Sequence, residues 1–126
     1  MQGERTIRVA QIVREAIADA LARGEIKDPR VLAGGLLTFS HVSVSRDLRH
    51  AKLYVLSTGG DLTQAVAGLQ AASGYLRKIV AEELRAKAVP ELHFFADEQF
   101  ERQQKMEGLL AEISREDQSR KTEGDE

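Results

Sequence analysis

Between residues 5 and 23, Val9, Ile12, Val13, Ala16, Ile17, Ala20 and Leu21 recur at helical spacing, while Arg5, Arg8, Glu15, Asp19 and Arg23 fall mostly on the opposite side. This is the stripe of an amphipathic helix. Gly24 suits a left-handed stop after its last turn. Residues 25–30 read as a connector, in which Pro29 cannot extend a helix and pushes Asp28 to an extended shape. The pattern then switches to alternation. Residues 36–45 and 50–57 predict a β-hairpin joined by Arg46-Asp47-Leu48-Arg49. Pairing Ser45 with His50 puts Val42, Val44, Ala51, Leu53 and Val55 on one face, and His41, Ser43, Lys52 and Tyr54 on the other. One apolar and one polar face is the pattern of an antiparallel sheet covered on one side. Leu37 and Phe39 break this parity, which predicts a bulge or bend near Phe39.

After a turn at residues 57–61, with Asp61 a fitting N-cap, residues 62–87 return to helical spacing. Leu62, Ala65, Val66 and Leu69 form one run, and Leu76, Ile79, Val80 and Leu84 form another. Ala72-Ser73-Gly74 between them is weak helix material, because Gly loses backbone entropy on ordering and Ser competes for backbone hydrogen bonds. A straight helix here would be about 39 Å long. A compact chain of this length has a diameter of about 36 Å. A bend at Ser73-Gly74 is therefore expected. Beyond it Arg77, Lys78, Arg85 and Lys87 occupy exposed positions, and a helix start flanked by cations suits phosphate. Residues 91–96 predict a short aromatic strand. Asp97 then fits as the cap of a last helix with a thin stripe of Phe100, Met106, Leu109, Leu110 and Ile113. Residues 115–126 have no apolar anchor, so a disordered tail is expected after a folded domain spanning 1–114. The order α-β-β-α-α-β, with a trailing helix, makes an α+β domain with an antiparallel-leaning sheet.

Charge changes this picture through its distribution. The formal net charge is −2. Residues 1–90 carry 13 Lys and Arg against 9 Asp and Glu, whereas 91–126 carry 5 against 11. An acidic tail thus masks a mildly basic body. Cys is absent, which excludes disulfides and thiolate metal sites. There is no run of 18 apolar residues, and the first 13 residues lack the apolar core of a signal peptide.

Catalytic chemistry finds no foothold in the sequence. No Ser stands in a nucleophile-elbow context. The pairs Gly34-Gly35 and Gly59-Gly60 are not followed by Lys-Ser or Lys-Thr, so there is no phosphate loop of the Walker kind. On the predicted hairpin His41 and His50 lie roughly 14 Å apart, too far to share an ion, and His93 belongs to another strand. No enzyme activity, cofactor or metal is expected. The basic residues Arg5, Arg8, Arg46, Arg49, Lys52, Arg77, Lys78 and Arg85 admit two readings, solvated surface or an RNA-binding set. Their settings are a hairpin tip, a helix start after Gly, and a strand where Tyr54 is expected to be exposed. Phosphate contacts want such mixtures of cations and free N–H groups, and an exposed Tyr stacks a base.

Several linked stretches carry a resemblance. Ile26-Lys27-Asp28-Pro29-Arg30, Val42-Ser43-Val44-Ser45-Arg46-Asp47-Leu48, His50-Ala51-Lys52-Leu53-Tyr54-Val55 and Val89-Pro90-Glu91-Leu92-His93-Phe94 occur in the order seen in ribosome-binding factor A. Over about residues 4–113 the chain resembles that family. The resemblance implies a type II KH-like fold. KH modules clamp RNA with a GxxG loop; this chain has none, and the family carries an Ala-x-Gly kink there, matched by Ala72-Ser73-Gly74. It further implies a bacterial, cytoplasmic, non-catalytic factor that binds the small (30S) ribosomal subunit and assists maturation of its 16S rRNA. A late-assembly GTPase as releasing partner, a role in cold adaptation, a monomeric state and the absence of a membrane partner complete the expectation. The other reading is a protein-docking module acting through the last helix and the acidic tail.

Overall fold

The computed structural model describes residues 3–86, 88–98 and 106. Its elements are α1 (Glu4–Ala22), α2 (Pro29–Leu32), β1 (Leu36–Val44), β2 (His50–Thr58), α3 (Leu62–Ala71), α4 (Ser73–Leu84) and β3 (Glu91–Ala96). The expected α+β order is present with one helix added. The predicted last helix and tail lie outside the described residues, apart from Asp97, Glu98 and Met106, which are helical. Lys87 also lies outside them.

Helix α1 buries Val13, Ala16, Ile17 and Ala20 and packs against β1 and α4. Its end is the predicted one, with Gly24 at a left-handed φ of +69°. The connector departs from expectation. Asp28 is extended, as a residue before proline should be. Pro29, however, opens the single-turn helix α2 instead of barring one. Its fixed φ suits the first helical position, and the Asp28 carboxylate accepts the Arg30 backbone N–H at 2.9 Å.

The hairpin has the register read from the alternation. Val44 faces Ala51, and the Ser45 N–H donates to the His50 carbonyl at 2.8 Å. Phe39 pairs with Val55 but His41 with Tyr54, so the bulge falls on Ser40. Two side chains from elsewhere fasten it. Arg14 of α1 donates to the Phe39 carbonyl, and the Ser40 hydroxyl donates to the buried Asp97 carboxylate. At the open end of the hairpin the two glycine pairs lie back to back. Gly35 has a φ of +76°, and a Cβ on it would run into the Thr58 carbonyl oxygen.

Strand β3 corrects the antiparallel-leaning sheet. The order is β1-β2-β3, with β1 antiparallel to β2 and β3 parallel to it, His50 facing Glu91 and Lys52 facing His93. A parallel neighbour needs a long crossover, here supplied by α3 and α4. Ala51, Leu53 and Val55 of β2, Leu69 of α3, and Leu76 and Val80 of α4 are fully buried and form one core with Val13 and Ile17. Gln70 of α3 adds a polar tie: its amide donates to the Leu92 carbonyl at 3.0 Å and accepts the Phe94 N–H at 2.9 Å.

The long central stretch is interrupted, as expected, but one residue earlier than expected. Ala72 is the joint, with φ −90° and ψ 6°, and its N–H is shared between the Gly68 and Leu69 carbonyls. Ser73 and Gly74 already belong to α4. Gly74 has no left-handed φ, and a Cβ on it would meet nothing within 4 Å. The break therefore does not depend on glycine's backbone freedom.

Candidate nucleic-acid interface

The β1–β2 loop is built by its own polar residues. The Ser45 hydroxyl donates to Asp47 Oδ1 at 2.6 Å, and the Arg49 N–H donates to the same oxygen at 3.0 Å. The Ser45 oxygen in turn accepts the His50 N–H at 3.0 Å. Leu48 takes a φ of +62°, and its N–H closes a turn on the Ser45 carbonyl at 2.9 Å. The Ser45 hydrogen bond, then that from the Arg49 backbone, holds the Asp47 carboxyl below the usual carboxylate range; the nearby charges of Arg49 and His50 act in the same direction. Side-chain bonds of this kind give a loop a fixed shape without secondary structure. Arg46 and Arg49 are left exposed on it.

One groove gathers cations that are distant in sequence. Arg5 and Arg8 from the first turns of α1 and Arg46 from the loop line it together. Leu84, Ala86 and Pro90, around the end of α4 and the start of β3, form the facing wall. Arg85 sits at the α4 C-cap in a left-handed conformation, φ 54°, between two of those wall residues. Two acids, Asp47 and Glu83, also line the groove, and Asp47 is already engaged by the loop.

The remaining sequence-predicted residues are not part of this groove. Arg77 donates to the Val89 carbonyl at 2.6 Å and to the Pro90 carbonyl at 3.2 Å, so it fastens the α4–β3 connector. Lys78 is exposed on α4. Ala72 is the helix joint and Ser73 and Gly74 open α4, whose start is capped by no side chain among the described residues. Lys52 is exposed on the outer face of the sheet. Tyr54 requires a correction. It lies on that face but is only 9% exposed. Its ring is stacked on Phe95 at 5.4 Å between centroids and tilted against His41 at 5.9 Å. A ring enclosed in this way is not an open platform for a base.

The histidines also differ from the expectation. Parallel register puts His93 beside His50, with Nδ1 of His50 3.1 Å from Nε2 of His93. The hairpin alone gave no sign of this, because the partner of β3 is a non-local property. Ser45 and Asp47 were missed as builders of the loop; the signal was a Ser and an Asp two residues apart in a turn.

The family model for ribosome-binding factor A matches residues 5–110. Ribosome-binding factor A of Alkalilimnicola ehrlichii is 42% identical over 116 residues, covering 90% of this chain and 86% of its own. That of Halothermothrix orenii is 33% identical over 126 residues, covering 98% and 100%. Among solved structures, the crystal structure of ribosome-binding factor A from Thermus thermophilus matches with a TM-score of 0.61 and 25% identity, covering 74% of this chain and 97% of that one. A homology model of the Thermus thermophilus factor, fitted into a cryo-EM map of its complex with the 30S subunit, matches with a TM-score of 0.56 and 27% identity over 70% and 89%. A family match across the folded elements and relatives alike over nine-tenths of the sequence agree, and the chain belongs to the ribosome-binding factor A family.

Proposed function

We propose that this protein is a non-catalytic assembly factor that binds the small ribosomal subunit through its RNA. The observation that carries the reading is the groove in which Arg5, Arg8 and Arg46 converge from two elements around a loop held rigid by Ser45 and Asp47. Cations on fixed backbone position a protein on phosphates. The fitted complex of the Thermus relative with the 30S subunit supports the same partner. In this reading the domain is a type II KH-like module, with the joint at Ala72-Ser73-Gly74 in place of the GxxG loop. Lys78 and the uncapped start of α4 then offer a second phosphate contact. The factor acts as a cytoplasmic monomer, holds 16S rRNA during late maturation, and leaves with the help of an assembly GTPase. Binding free energy drives its action and no bond is made or broken.

The test is binding to purified small subunits across a salt series. Phosphate contacts release counterions, so the affinity should fall steeply with salt. Arg5→Glu, Arg8→Glu and Arg46→Glu should each weaken binding and flatten the salt slope by about one unit for every phosphate no longer engaged. Unchanged affinity and slope in the triple variant, with a native circular-dichroism spectrum, would refute the groove as the RNA face.

A further inference from the structure

The end of the sheet next to the hairpin loop carries a group of side chains outside the basic groove. His50 opens β2 and Glu91 opens β3, directly opposite each other in parallel register. His93, two residues further along β3, shares that face. The two imidazoles approach to 3.1 Å between Nδ1 and Nε2, with centroids 5.2 Å apart. A Glu91 carboxylate oxygen completes the group, and all three ligand atoms lie within 4.8 Å of one another. We propose that His50, Glu91 and His93 form a binding site for a divalent first-row transition ion of the zinc type.

Donor chemistry selects the ion. Two imidazole nitrogens and one carboxylate oxygen suit zinc and its neighbours, whereas calcium and magnesium take oxygen ligands. Geometry agrees. Metal–ligand bonds of about 2.0–2.1 Å in a tetrahedron place neighbouring donors roughly 3.4 Å apart. The two nitrogens already stand close to that spacing. Glu91 is exposed, so its carboxylate can swing in without disturbing packing. When both rings are neutral, a contact of this length is made by one ring's N–H donating to the other ring's nitrogen. On binding, the donating ring moves its proton to its outward nitrogen, and the ion takes the place of that hydrogen. Because the group is at the surface, water fills the open position. Lys52 stands on the same face in register with His93, and its charge opposes the ion. The site joins the first residues of two strands separated in sequence by the whole crossover. It also adjoins the loop, where the Arg49 carbonyl accepts the Glu91 N–H at 2.8 Å.

The chain has three histidines and no cysteine, which makes the test clean. Full-length protein, treated with chelator and dialysed, is titrated calorimetrically with zinc chloride near neutral pH in a buffer that does not bind metal, with magnesium chloride as control. One equivalent of zinc should bind and raise the melting temperature, and magnesium should do neither. His50→Gln and His93→Gln should each lose at least about tenfold in affinity, Glu91→Gln should lose less than either, and His41→Gln should bind as the parent does. Should a variant not fold, imidazole NMR resonances of the parent protein serve instead: those of His50 and His93 should move on zinc addition, and that of His41 should not. Absence of zinc binding, equal magnesium binding, undiminished affinity in the His50 and His93 variants, or resonance shifts centred on His41 would each overturn the proposal.

Discussion

Asp47 lies between Arg46 and Arg49 in the loop, yet its main partners are a hydroxyl and a backbone N–H. Those bonds stabilise the ionised form, so the folded-state pKa is depressed. A depressed carboxyl contributes stability above its unfolded value of about 3.9 and loses it as the pH falls through the lower folded value. The Arg49 amide resonance should therefore titrate with a midpoint below that of a free Asp, and a midpoint at or above the free value would mean the loop is not held this way. Asp28 behaves alike further up the chain, pulled down to about 2 by the Arg30 side chain and then by its backbone N–H. The glycines divide by geometry. Gly74→Ala places a methyl in open space at an ordinary φ and should raise stability in urea by up to about 1 kcal/mol. Gly35→Ala meets the Thr58 carbonyl at a left-handed φ and should lower it by about 1–3 kcal/mol. The opposite order of the two variants would contradict the geometry of both sites.

At the scale of elements, the sequence was most legible where the signal was local. The loop between Ser45 and His50 and the alternation on either side set the hairpin register, and broken parity at Phe39 announced the bulge on Ser40. Helix α2 escaped because its four residues carry no periodicity. The break in the central stretch was visible as weak helix residues, but its position at Ala72 depends on which carbonyls the N–H groups find. The partner of β3 was not legible at all, since nothing in a short strand says which strand it lies beside. That one gap hid both the His50–His93 contact and the enclosure of Tyr54 by Phe95. Arg77 shows why element context matters to a test of RNA binding. Its guanidinium holds the Val89 and Pro90 carbonyls of the α4–β3 connector. Arg77→Glu should therefore lower the melting temperature as well as any affinity, whereas Lys78→Glu should leave the melting temperature unchanged. Equal melting temperatures for the two variants would show that the Arg77 bonds contribute nothing to the fold.

For the whole molecule, a net charge of −2 gives no hint of a basic surface; the distribution along the chain shows a mildly basic body, and the fold shows where its cations meet. Arg5 and Arg46 are forty-one positions apart in sequence yet line one groove. Charge counted along a chain cannot register such convergence. The basic groove was thus legible as a set of residues but not as a surface. The loop of residues 46–49 lines that groove through Arg46, Asp47 and Leu48 and bonds Glu91 of the His50, Glu91 and His93 group through the Arg49 carbonyl, so a change in its shape reaches both.

The Gln70 amide has a consequence for how the protein behaves in a crowd. Among the described residues, strand β3 lies at the margin of the sheet, with β2 as its strand neighbour. A margin with unspent backbone donors and acceptors is a template on which another chain can add a strand. Gln70 fills the Leu92 carbonyl and Phe94 N–H with one side chain, imitating the peptide group of a missing neighbour. Those two backbone groups are thereby closed to an added strand. Gln70→Ala should keep its circular-dichroism spectrum yet scatter light sooner on slow heating at high concentration. If it stays clear as long as the parent, the margin is shielded by something other than this amide.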